Sequence, residues 1–101
     1  MHARVTRLEA SADRLDEMVS QFEAHTIPVL EGLDGYKGYI LLGDRTNGVA
    51  IAVTYWDSES ALQASDDAVA PERERAAQAA EAASAPTVER YEVVSTSFGS
   101  G

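Results

Sequence analysis

Few side chains in this sequence have both the type and the setting for chemistry. Trp56 is the only tryptophan, and it stands where a strand-like run gives way to a helix-like one. There its indole would wall a pocket for a flat aromatic ligand and donate a hydrogen bond; the structural alternative is a core anchor. His25 is one of two histidines, and imidazole titrates near neutral pH, as a general base must. It lies on the flank of an apolar helix stripe, which suits a pocket mouth or a plain helix edge. Arg4 would bind a substrate carboxylate or enolate, or pair with the acidic surface. Thr6 and Thr54 are polar groups on strands. Tyr36, like Tyr39, Tyr55 and Tyr91, can donate to a ligand oxygen or pack with its hydroxyl at a rim. Phe22, on the inward stripe of the first helix, joins them as a pocket wall. The catalytic candidates are therefore His25 and Arg4, and the substrate-binding candidates Trp56, Thr6, Tyr36, Thr54 and Phe22.

The composition removes other classes. With no cysteine, disulfides, thiolate catalysis and zinc–thiolate sites are excluded. Two histidines without ligand spacing make no metal site. The net charge is -9, with 5 basic and 8 acidic residues in positions 1–50 and 3 and 9 in the rest. Neither half is basic, so a nucleic-acid partner is disfavoured. No apolar run is long enough to span a membrane. The N-terminus lacks an apolar signal core, so the expected location is the cytoplasm.

The elements that must position these residues follow in order. Residues 2–9 alternate as a strand, with His2, Arg4, Thr6 and Leu8 on one face. Ser11 can cap a helix whose apolar stripe runs through Leu15, Met18, Val19, Phe22, Val29 and Leu30, with Thr26 inside it. Pro28 predicts a kink, because it frees the carbonyl of Ala24 and crowds that turn. Strands are expected over 36–44 and 49–56, joined by an Asn47-Gly48 hairpin loop. Both are apolar on both faces, which predicts cover on both. A second helix opens at Asp57 or Ser58 and buries Ala61, Leu62, Ser65 and Val69. Pro71 is expected to break it and to start an alanine-rich helix over 71–84, with Glu72-Arg73-Glu74-Arg75 as a solvated face. The last strand is expected over 87–96. Residues 1–96 form one domain and 97–101 a flexible tail.

This order, β-α-β-β-α-β, is the ferredoxin-like α+β pattern: an antiparallel four-stranded sheet with two helices on one face. The other sheet face keeps large apolar residues. Its simplest cover is the same face of a second copy, which predicts a homodimer.

The chain resembles the antibiotic biosynthesis monooxygenase family of dimeric α/β barrel proteins. The likeness rests on Pro28, on Leu33-Asp34-Gly35-Tyr36-Lys37-Gly38-Tyr39, on Thr54-Tyr55-Trp56-Asp57-Ser58-Glu59-Ser60-Ala61-Leu62, and on Val88-Glu89-Arg90-Tyr91-Glu92-Val93. Asp34 departs from it, since many relatives have proline there. The resemblance implies a barrel of two sheets, with a pocket in each subunit between its own sheet and helices. Haem-degrading members depend on an asparagine in strand one and a tryptophan and a histidine in helix two. Here Thr6 and Ser65 take the first two positions, and no histidine follows His25. Oxygenase relatives often carry a histidine in helix two as well, also absent here.

Two functions follow. The resemblance implies monooxygenation, without a cofactor, of a small electron-rich aromatic such as a quinol or anthrone. A flat phenol would be held dry and deprotonated, and its anion would react with oxygen. Trp56 and the tyrosines would orient the ring, His25 or a water would take the proton, and Arg4 would stabilise the anion. The alternative is a non-catalytic dimeric module that binds a small apolar ligand or merely assembles.

Overall fold

The computed structural model describes residues 1–79, 81 and 85–97. Four strands run as β1 (His2–Glu9), β2 (Tyr36–Asp44), β3 (Val49–Trp56) and β4 (Thr87–Glu92). They form one antiparallel sheet in the order β2-β3-β1-β4. The helical segments lie between β1 and β2 and between β3 and β4. This is the ferredoxin-like α+β fold that the element order predicts.

The register decides which side chains meet the helices. Arg4 pairs with Thr54, Thr6 with Ala52 and Leu8 with Ala50 across β1 and β3. Leu41 of β2 lies opposite Ala52, and Tyr39 opposite Thr54. The even-numbered residues of β1 and β3 therefore share the helix-covered face. The outer face carries Val5, Ile40, Ile51, Val53 and Tyr55, all half-buried. Leu42 and Tyr91 on that face are 51% and 52% exposed.

The segment after β1 begins as a 3-10 turn, Ala12–Arg14, and continues as α1 (Leu15–Gln21), a π-helical turn (Phe22–Thr26) and α2 (Ile27–Glu31). The Ile27 N–H donates to the carbonyl of Phe22, five residues back. This widened turn is how the helix accommodates Pro28, which cannot donate to Ala24. The disturbance expected at Pro28 is thus an inserted residue one turn before it. Phe22 and Thr26 are both buried, as their spacing of four requires, while His25 is exposed.

Ser58 caps α3 (Glu59–Ala64), its side chain accepting from the Ala61 N–H at 3.1 Å. The break before α4 (Asp66–Ala79) falls at Ser65, and Pro71 lies inside α4. The break expected at Pro71 is therefore corrected. Its cause is the buried Arg4, whose Nη2 donates at 2.8 Å to both the Leu62 carbonyl and the Ser65 hydroxyl, and also to the Asp66 carboxylate. One guanidinium closes α3 and tethers the start of α4. The expected helix residues 80 and 82–84 lie outside the described residues, as do tail residues 98–101.

β4 ends at Glu92, shorter than expected; beyond it the Val93 N–H bonds the Met1 carbonyl at 2.8 Å. In the β2–β3 hairpin, Gly48 has φ +68°, and a Cβ there would lie 2.3 Å from the Ala10 carbonyl oxygen. Glycine is required on both counts.

The core has two clusters between sheet and helices. One holds Leu8, Ala10, Leu15, Met18, Ala50 and Ala76; the other holds Phe22, Leu30, Trp56, Leu62 and Val69.

Candidate functional site

A cavity of about 50 Å³ lies between these clusters, lined by members of both. The sheet supplies Arg4, Thr6, Leu8, Ala50, Ala52 and Thr54. The first helical segment supplies Met18, Phe22, Thr26 and Leu30, and α4 supplies Val69, Glu72, Arg73 and Ala76. Phe22 and Thr26, four residues apart on one helix face, stand on the wall together.

The walls are mostly apolar, so the polar groups among them stand out. Arg4 is 1% exposed. Its Nη2 serves the α3–α4 junction, while its Nε and Nη1 are buried with no hydrogen-bond partner in the protein. Burial pushes its guanidinium below its ordinary value, against the opposing pull of Asp66. Arginine stays cationic under such shifts, so the cavity holds a fixed positive charge. Partial burial pushes the Asp66 carboxyl up, but the hydrogen bonds and charges of Arg90 and Arg4 outweigh this and hold it below the usual carboxylate range.

Glu72 is 7% exposed. Its carboxylate accepts from Arg75 at 2.7 Å and from the Thr26 hydroxyl at 3.4 Å. Arg73, next along α4, is half-buried, with Nε and Nη2 unpartnered in the protein. The expectation of a solvated Glu72–Arg75 face is therefore corrected: Glu74 and Arg75 face solvent, while Glu72 and Arg73 face the cavity. The sequence did carry a signal, since Val69, Glu72 and Ala76 fall at i, i+3 and i+7.

The structure brings four of the seven candidate residues to the cavity wall: Arg4, Thr6, Thr54 and Phe22. Trp56 is fully buried just behind it. Its indole N–H donates to the Thr54 hydroxyl at 3.0 Å, so that donor is spent within the protein. Tyr36 packs edge-on against Trp56 with ring centres 5.6 Å apart. Burial pushes the Tyr36 phenol up to about 12, with Tyr39 and Glu31 adding to the shift. It is half-buried and is a neutral donor at physiological pH. His25 is exposed on the π turn and is not among the lining residues. His2 is half-buried, its Nε2 3.7 Å from Glu59.

Among the described residues, no group of three or more acidic, histidine or cysteine side chains is placed to hold a metal ion. Among the described residues, no helix is long and apolar enough to cross a membrane.

Comparison with known proteins places this geometry. Residues 1–70 match the sequence model of the antibiotic biosynthesis monooxygenase family. A monooxygenase of Streptomyces coelicolor, solved with the ligand nanaomycin D, superposes with a TM-score of 0.79 at 12% identity, over 94% of this chain and 88% of that one. The haem degrader MhuD of Mycobacterium tuberculosis, solved with two haems in its active site, superposes with a TM-score of 0.72 at 25% identity, over 95% and 98%. Rv2557 of the same organism, an uncharacterised protein, is 33% identical over 92% of this chain. The chain spans about two fifths of the length of that relative, 41%.

Proposed function

This chain belongs to the antibiotic biosynthesis monooxygenase family, and from that premise we propose that its cavity oxygenates a small electron-rich phenol or quinol with molecular oxygen and no cofactor. The observation that carries this reading is the meeting of the Arg4 guanidinium and the Glu72 carboxylate on one mostly apolar cavity. Glu72 takes the phenol proton, a role that the exposed position of His25 leaves to it. The fixed charge of Arg4 favours the resulting phenolate, and apolar walls strengthen that attraction by excluding water.

The rest of the chemistry is the substrate's. The electron-rich ring adds oxygen at an unsubstituted carbon para or ortho to its hydroxyl, forming a C–O bond and a ring hydroperoxide. Glu72 returns its proton, the O–O bond breaks, the ring C–H proton leaves, and water departs. One oxygen atom ends in a new ring carbonyl and the other in water. The substrate supplies all the electrons, so no external reductant is needed.

Size narrows the substrate. The cavity is a third of the roughly 150 Å³ known to hold benzene in an engineered core. A single ring enters by moving wall side chains, of which Met18 has the most freedom; a three-ring anthrone demands far more. Haem does not fit. No histidine, cysteine or tyrosine lines the cavity, and its volume is far too small.

A second copy of the chain covers the outer sheet face in this reading, which is supported by the apolar residues there and by a structural neighbour described as a dimeric ferredoxin-like protein.

Oxygen uptake by the purified protein with a panel of one-ring phenols and quinols tests the reaction. Saturable, protein-dependent uptake that falls at least tenfold in Glu72→Gln is expected. Uptake equal to the buffer control across the panel, from a folded protein, would overturn it and leave a ligand-binding module.

A further inference from the structure

The charges around the cavity do not balance. Asp66 is shared between Arg4 and Arg90, and Glu72 is paired with Arg75. Arg73 has no ion pair among the described residues, although the charges of Asp66 and Arg90 both reach it. Its own charge in turn reaches Arg4. Three arginines thus gather about one aspartate, in a chain whose net charge is -9. Over the rest of the chain carboxylates outnumber cations.

The free donors have a definite form. On Arg73 they are Nε and Nη2, the two nitrogens whose N–H bonds run parallel along one edge of a guanidinium. That edge matches the two oxygens of a carboxylate. On Arg4 the unpartnered nitrogens are Nε and Nη1, which do not share that edge. Buried donors left unmade are costly, so four of them on two arginines that line one cavity call for an acceptor. The nearest protein carboxylates are already engaged: Asp66 by Arg4 and Arg90, Glu72 by Arg75 and Thr26.

We infer that the cavity selects a one-ring aromatic that carries a carboxylate, held by the Nε–Nη2 edge of Arg73 beside Arg4. This deepens the reading of the cavity as a phenol site and rests on it for the place, not for the reaction. The carboxylate sits at the arginine end, and the apolar residues Leu8, Met18, Phe22 and Leu30 receive the ring. Neutral phenols lack the group that Arg73 is built to meet.

Calorimetric titration with para-hydroxybenzoate and para-hydroxybenzamide tests this, because the two differ little in shape and by one charge. The acid is expected to bind at least about tenfold more tightly. In Arg73→Gln that preference falls to within about twofold while the thermal midpoint stays close to the parent's, since Arg73 anchors no helix junction. Equal affinity for acid and amide overturns the carboxylate assignment and leaves the phenol site standing. A preference that survives in Arg73→Gln overturns the role of Arg73. Binding of neither compound by the folded protein overturns the inference and the cavity's reading as a one-ring site together.

Discussion

The Arg4 guanidinium carbon lies 5.7 Å from the centre of the Trp56 ring, and the two side chains are 1% and 0% exposed. A cation on an aromatic face, with Asp66 accepting from it, is one of few ways to bury an arginine in so small a core. The same guanidinium ends α3 and offers two further donors. Structure and candidate chemistry thus converge on one side chain.

Replacing Arg4 by methionine removes the donors to Leu62, Ser65 and Asp66. We expect a loss of about 3 kcal/mol in stability, at the lower end for a broken buried pair because Asp66 keeps Arg90. Arg4→Lys should recover only part of it, since an ammonium lacks the planar face that the guanidinium lays against Trp56. Urea denaturation checks both.

The hairpin glycine gives a sharper steric test. Gly48→Ala should cost about 2 kcal/mol or more, because a positive φ and a backbone collision act together. Gly32, with φ -86°, meets nothing closer than 3.6 Å. Gly32→Ala should change stability by less than about 0.5 kcal/mol in the same denaturation experiment.

Asp66 sets an acid limit. Its folded-state pKa is held below the ordinary value, near 3.9 for an unfolded aspartate. Its pairing therefore contributes stability that is complete above about pH 4–5 and fades as pH falls through the folded value. Thermal midpoints measured from pH 7 down to pH 3 should fall less steeply in Asp66→Asn than in the parent, from a lower starting point.

The outer sheet face supplies a test of assembly. Val53 lies in the middle strands of that face. Val53→Asp should convert a dimer to a monomer in sedimentation velocity, by placing a charge in the seam. A parent protein that is monomeric at micromolar concentration would contradict the proposed dimer.

The first three strands and the first helix as far as Phe22 were legible in the sequence because their periodicity is undisturbed: Leu15, Met18 and Phe22 are buried as their spacing requires. The second helical segment misled, for a definite reason. Pro71 is the conspicuous breaker in the sequence, whereas the actual break at Ser65 is made by Arg4, 61 residues away. No local rule sees such a contact. Misplacing the break turned Glu72 and Arg73 outward and hid them as site residues. His25 had a general base's chemistry, but the π turn carries it to the surface. Trp56 had a donor to offer, and Thr54, two residues before it, accepts it.

The most direct test of the central claim is isotopic: turnover of a one-ring phenol with a free ring C–H para to its hydroxyl under labelled molecular oxygen, with the product and the water analysed by mass spectrometry. The account predicts one labelled oxygen atom in the new ring carbonyl and one in water, with formation lost in Glu72→Gln. Product whose new oxygen comes from unlabelled solvent, with carbonyl exchange controlled for, or product formed equally without the protein, would contradict it.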